Sequence, residues 1–290
     1  MSEEHSIPGF QDVDMLETAT TTTMTPIRTF KYEGLSDFTS LIHDNLYKDI
    51  EILEFLGVSA DDFSILSLDE ARPLKSARFS YDSSTSIMQV RMPHYRHELV
   101  NGLFRTLIDK QLMSMNVENE LFFLSAPLTV IGSWTKEPDA CWVPDNTKKP
   151  SVVQEVGSSE TAAHLTISAR AWIEISGSSV LACITIKIRP DNDLVIDVWK
   201  RGERTYNLTS RNAHTPAIRQ QHIQITNTMS GPQVQGWKVN SDSSVVPTDE
   251  ILLEFSLFVG RPANNDLEHD IRLDRSILIQ FATRFFTAGS

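Results

Sequence analysis

Apolar and polar positions change period several times along this chain. In "PHYRHELVNGLFRTLIDKQLMSM" the residues Val100, Leu103, Phe104, Leu107 and Ile108 recur at the i, i+3, i+4, i+7, i+8 spacing of one helix face. Just before it, "ARFSYDSSTSIMQVRM" (77–92) alternates with period two around the polar centre "DSSTS", the pattern of a β-hairpin. Strand-like segments follow at about 121–134, 139–143 and 151–156. A second helix is predicted over about 160–176, with Leu165, Ala169, Trp172 and Ile173 on one face, and "VLACITIKI" and "DLVIDVWKR" read as strands after it. "ILLEFSLFVGRP" predicts a further strand and "LDRSILIQFATRFF" a closing amphipathic helix. Between 203 and 250 the chain is polar and turn-rich, with short alternating pieces such as "HIQIT" and "VQGWKV" and no firm assignment.

Upstream, "LSDFTSLIHDNLYKDIEILEFLG" sets Phe38, Leu41, Ile42, Leu46 and Ile50 on an apolar face and stops at Gly57, which predicts one or two acidic helices. Residues 1–30, with "TATTTTMT", carry no period and read as a disordered tail. The order hairpin, helix, strands, helix, strands predicts an α/β sandwich, a central mixed β-sheet flanked by helices. The expected organisation is a tail (1–30), an acidic helical segment (31–72) and one main domain (73–290) with a C-terminal extension from about 203.

Charge refines this picture. The formal net charge of -12 lies wholly in the first 70 residues, where 15 Asp and Glu face 3 Lys and Arg; residues 71–290 hold 23 of each. The main domain therefore lacks the basic excess of a strong nucleic-acid binder. Cys141 and Cys183 have no C-x-x-C spacing, and a disulfide framework is not expected. The acidic N-terminus does not read as a secretory signal, and no apolar run approaches the roughly 20 residues of a membrane span. An intracellular protein, cytoplasmic or nuclear, is the expectation, with Asn207–Thr209 an accidental N-x-T match.

Several familiar chemistries are absent from the motifs. "HELVN" begins like a zinc-protease helix, but Asn101 stands where the second histidine is needed. His94 and His97 have no third ligand nearby, and no nucleophile elbow, phosphate-binding glycine loop or dinucleotide fingerprint occurs. What remains is "KEPDACWVP" followed, 16 residues after Asp139, by Glu155 in "SVVQEVG". An acid at the start of one strand and an acid inside the next can meet at one end of a sheet, and a hard cation such as Mg²⁺ would suit the pair. The plainer alternative is that Glu155 pairs with a nearby Arg or Lys.

These pieces, with "MPHYRHE" (92–98), "PSVVQEVGSSETAAHLTISARAW" (150–172) and "ITIKI…IDVWKR", resemble the PD-(D/E)XK, or restriction-endonuclease-like, superfamily across about residues 75–200. More narrowly, the chain looks like fungal proteins distantly similar to bacterial Uma-type endonuclease-like proteins. The resemblance implies a restriction-endonuclease-like fold in which Asp139 and Glu155 bind Mg²⁺, Glu98 from the first helix is a further ligand, and nucleic acid is the substrate. The motif lysine is replaced by Gly157, which cannot orient a water or stabilise phosphorane charge. By analogy with the Uma-type helix lysine, Arg170 takes the remaining catalytic position, able to stabilise charge but not to serve as a base.

Three functions follow: a Mg²⁺-dependent phosphodiesterase (nuclease), a catalytically inactive nuclease-fold interaction or nucleic-acid-binding module, or a domain whose basic surface is masked by the acidic N-terminal segment, itself a potential protein-binding element. Lys187, Arg189, Lys200, Arg201, Arg204, Arg211 and Arg219 are the candidates for that surface.

Overall fold

In the computed structural model, which describes residues 27–46, 52–158, 160–202 and 215–288, two large sheets meet at the motif "KEPDACW". The chain runs β1 (Arg28–Lys31), α1 (Leu35–Asn45), β2 (Ile52–Leu56), α2 (Ala60–Leu66), β3 (Arg78–Asp82), β4 (Ile87–Arg91) and α3 (Tyr95–Ser114). It continues through β5 (Leu121–Leu124), β6 (Thr129–Ile131), β7 (Trp134–Lys136), β8 (Ala140–Pro144), β9 (Val152–Gly157), α4 (Ala162–Glu174), β10 (Ala182–Ile188) and β11 (Leu194–Arg201). The remainder is β12 (Ala217–Thr228), β13 (Gly231–Val239), β14 (Val245–Thr248), β15 (Ile251–Leu253), α5 (Phe255–Val259), β16 (Ile271–Leu273) and α6 (Arg275–Ala288).

The first sheet has the order β1-β2-β4-β3-β7-β6 and the second β14-β13-β12-β11-β10-β9-β8-β5. Pairing is antiparallel except for β1 with β2 and β9 with β10. The fold is thus mixed α/β, and the run α3, β8, β9, α4, β10, β11 follows the order expected from the motifs. Each sheet has its own core. Phe79, Tyr81, Met88 and Val90 of the hairpin pack with Phe38 and Ile42 of α1 and with Phe63 and Leu66 of α2. One face of the second sheet packs on α3, α5 and α6 through Ile184, Ile186, Ile196, Phe104, Phe258 and Phe281. The opposite face packs on α4 through Val153, Cys183, Ala169 and Trp172.

The period-two hairpin and the 3.6-period helices α3 and α4 form where patterning predicts them. On α3 the buried row is Val100, Phe104, Ile108 and Leu112, with Leu103 and Leu107 at its half-buried border. Three segments differ. The stretch 31–72 is only partly helical: "ILEFL" forms strand β2, held between β1 and β4, because Leu53 and Phe55 alternate into the first core. "ILLEFSLFVGRP" is three residues of strand and then the short helix α5, stopped by Gly260 in a left-handed conformation (φ 75°). A continuous apolar run has no period to distinguish the two states. Within 203–250, residues Ala217–Thr248 build three strands that widen the second sheet. Most of the predicted tail, 1–26, and the segment 203–214 with Arg204 and Arg211 lie outside the described residues. Among the described residues no helix is long and apolar enough to cross a membrane.

Candidate functional site

The first sheet delivers cations and the second delivers acids. Along β3, β4 and β7, period two sends Phe79, Tyr81, Met88 and Val90 into the first core, so Arg78, Arg91 and Lys136 share the opposite face. Arg78 and Arg91 are direct cross-strand partners, and Lys136 stands opposite Ser80 on the next strand. Like charges placed so repel unless acids compensate them. The compensation comes at the crossover from β7 to β8, where Glu137, Pro138 and Asp139 pass from one sheet to the other. Asp139 reaches β9 through two backbone contacts: its N–H donates to Gln154 O (3.1 Å) and its Oδ2 accepts from Val156 N–H (2.7 Å). On β9, Gln154 faces α3 and bonds Asn101, whereas Glu155 faces α4, where Trp172 Nε1–H donates to its Oε1 at 2.5 Å.

Asp139 and Glu155, both 0% exposed, are brought together, with Arg91 as their shared partner. Its Nη2 lies 2.8 Å from Glu155 Oε2 and its Nη1 3.4 Å from Asp139 Oδ2, 3.6 Å from Glu160 Oε1 and 2.9 Å from Val156 O. Lys136 Nζ is 3.0 Å from Glu155 Oε1 and also bonds Ser168. His97 Nε2 approaches Asp139 Oδ1 at 3.1 Å, an electrostatic contact rather than a well-directed hydrogen bond. Burial by itself would raise the Asp139 pKa. The Arg91 guanidinium, and after it His97, reverse this and hold the carboxyl well below the usual range. Burial likewise opposes charge on Arg91, yet Asp139, Glu155 and Glu160 push its pKa well above the ordinary arginine value.

The remaining predicted site residues are placed elsewhere. Glu98, in the first turn of α3, is partly exposed and pairs with Arg78 (3.2 Å), which in turn lies 3.9 Å from Asp139. Arg170 pairs with Glu174 (2.9 Å) and its side chain is 54% exposed. It stands two residues from Trp172, about 200° around the helix, and so projects away from Glu155. Gly157 has a packing reason: a Cβ there would lie 3.0 Å from Leu165 Cδ1, so the glycine lets α4 settle on β9.

The proposed basic surface is largely committed to other contacts. Lys200 pairs with Glu254 (2.8 Å) and Arg219 with Asp197 (3.8 Å), while Arg201 donates to carbonyls of Ile173, Ser178 and Val180 and Lys187 donates to Ser158 O. Lys200 and Lys187 moreover occupy opposite faces of the second sheet, because they sit at opposite parities of paired strands.

A magnesium ion needs near-octahedral oxygens at about 2.0–2.1 Å. The donor set does not fit it. Each of the four carboxylate oxygens already faces a protein group: Trp172 and Lys136, Arg91, His97, or Val156 N–H and Arg91. Among the described residues no three His, Cys, Asp or Glu side chains converge as a metal-holding group. Arg91 and Lys136 stand at ion-pair distance from Asp139, Glu155 and Glu160, and Arg78, shared with Glu98, lies 3.9 Å from Asp139. What the cluster can do chemically is join the sheets and present a polar floor to the adjoining cavity of roughly 380 Å³, which is lined by Arg78, Lys136, Glu137, Glu160, His164 and Ser168 among others.

Arg91 and Lys136 are the site residues that the motifs do not reveal. Alternation does place Arg91 on the polar face of the hairpin, whereas Lys136 lies between the predicted strands and reaches that face only through the pairing of β7 with β3. That face reads as a solvent face until a second sheet is known to cover it.

Neither a family model nor a curated protein matches this sequence. Among solved structures, the chain is similar to a candidate nuclease belonging to DUF820 from Anabaena variabilis, with 11% identity and a TM-score of 0.41 over 78% of this chain and 99% of that one. At that identity and degree of superposition, any functional reading rests on this chain's own residues.

Proposed function

We propose that this chain is a nuclease-fold binding module that does not hydrolyse phosphodiesters, and that its partner is a protein. The observation that carries the reading is the guanidinium of Arg91, buried between Asp139 and Glu155 at ion-pair distance from each. A hydrolase built on this acid pair needs it to hold a cation that activates water, and the pair is bound to an arginine that cannot do so. Gly157, filled over by Leu165, and Arg170, turned toward Glu174, supply no substitute for the motif lysine.

A protein partner fits the surface better than nucleic acid does. Residues 71–290 hold 23 acids and 23 bases, without a basic excess, and the described members of the basic group are spread over two sheet faces and mostly paired. Residues 121–135 carry no charge, and they expose Phe122, Leu124, Leu128 and Val130 beside two sheet-edge strands, β5 and β6. Charge-free edge strands are surfaces to which other chains can pair.

Purified full-length protein incubated with Mg²⁺ or Mn²⁺ and single- and double-stranded DNA and RNA should leave every substrate intact. Metal-dependent cleavage that disappears in Asp139→Ala would overturn the reading and restore the hydrolase. Salt-dependent capture of an oligonucleotide without cleavage would keep the non-hydrolytic module and change its partner to nucleic acid.

A further inference from the structure

We infer that Arg91 is a built-in counter-cation: delivered by the N-terminal sheet, it holds the place between Asp139 and Glu155 that a divalent metal would need, and so closes the acid pair to metals. The inference rests on the non-hydrolytic reading but concerns occupancy of the pair, not turnover. Arg91 ends β4 and is held on both sides, by Ile52 of β2 and Arg78 of β3. Met92 and Pro93 then lead into α3, whose His97 meets Asp139. The guanidinium is therefore positioned by strand register on one side and by the helix start on the other. Its planar fork spans Val156 O and two carboxylates at once, a geometry that a single ammonium cannot match. Arg72 repeats the arrangement next door, where it forks onto Glu137 at 2.5 and 3.2 Å while Glu137 also accepts from Phe79 N–H. The acids at the sheet crossover are thus answered by arginines of the N-terminal half, and a metal would have to displace a guanidinium bonded at several points.

Trp172 provides a reporter, because its indole N–H sits on Glu155 and indole sensitises Tb³⁺ emission at short range. Full-length wild type, Arg91→Met and Arg91→Lys are titrated with Tb³⁺, and their thermal midpoints are followed with millimolar Mn²⁺, after near-UV circular dichroism has confirmed native packing. Wild type should show no sensitised emission that depends on Asp139 and no Mn²⁺-induced rise in midpoint. Arg91→Met should gain both, and a second substitution, Asp139→Asn, should remove them. Arg91→Lys keeps a charge but loses the planar fork onto Val156 O and the acids, so it should gain emission at higher Tb³⁺ than Arg91→Met. If Arg91→Met does not fold, the lysine variant decides alone: absence of emission overturns the inference. Wild-type emission that is lost in Asp139→Asn also overturns it. Metal-dependent nucleic-acid cleavage by wild type without that emission would instead remove the non-hydrolytic reading and leave the inference about the pair standing.

Discussion

At the scale of single residues, the site is an exercise in burying charge. An ionised carboxylate in an apolar interior costs several kcal/mol unless it is paired and hydrogen-bonded. Glu155 meets that condition through Arg91, Lys136 and Trp172. Trp172→Phe removes the N–H and also leaves a cavity where the rest of the fully buried indole stood, and should cost at least about 1–3 kcal/mol, the penalty expected for weakening a buried charged acceptor. Urea denaturation checks this, and an unchanged midpoint would mean that Lys136 and Arg91 satisfy Glu155 alone. Gly157→Lys is informative for the opposite reason. It writes the motif lysine back, yet its Cβ meets Leu165 at 3.0 Å. Overpacking of this kind typically costs about 1–3 kcal/mol, and the variant should be less stable while still failing to cleave nucleic acid in a metal-dependent assay. The sequence identifies Asp139 and Glu155 as a pair because acids in apolar strands stand out. It does not identify Arg91, because an arginine at an alternating polar position does not.

At the scale of elements, legibility follows from period. Helices α3 and α4 and the hairpin β3–β4 are recognisable because apolar residues line one face of each and polar residues the other, even though on the hairpin the polar face is covered as well. Strand β2 and helix α5 defeat the same reading. In "EILEFLG" the alternation of Leu53 and Phe55 is embedded in a longer helix-like pattern, and only the flanking strands β1 and β4 decide its state. In "FSLFV" four of five residues are buried, so no polar face marks a helix. The long hairpin β12–β13 shows in the sequence only as the short alternating pieces "HIQIT" and "VQGWKV", because in β13 the inner-face positions beside Gln221 and Ile223 are Lys238 and Gly236 while Trp237 stands on the outer face. One glycine in it is required by packing: a Cβ on Gly236 would stand 2.0 Å from His222 O. Gly236→Ala should therefore force β13 away from β12 and separate Trp237 from the His222 ring that stacks on it at 5.6 Å. The expected outcome is a lowered thermal midpoint together with an altered near-UV tryptophan signal, and a variant indistinguishable from wild type in both would show that the hairpin yields at no cost. Helix α4 offers a milder test. Thr161 accepts from His164 N–H at its N-terminus (3.1 Å), and Thr161→Ala should cost about 1 kcal/mol by urea denaturation.

At the scale of the whole molecule, the two sheets are joined at a buried set of charges, and this gives stability a defined dependence on pH. The Asp139 carboxyl is held well below its ordinary range by Arg91 and His97, so as the pH falls the unfolded chain takes up this proton before the folded one does. Its contribution is fully present above the unfolded aspartate value of about 3.9 and is lost as the pH falls from there toward the lower folded value. The urea midpoint of wild type should consequently fall steeply below about pH 4. Asp139→Asn, which cannot titrate, should be less stable at neutral pH but flatter through the acid range, so the two curves converge as the pH falls. Added salt should change the wild-type midpoint at neutral pH only slightly, because buried pairs are screened much less than exposed ones. Parallel acid profiles for the two proteins would mean that Asp139 titrates alike in the folded and unfolded chains, and that the charges at the sheet junction are not what holds its carboxyl ionised.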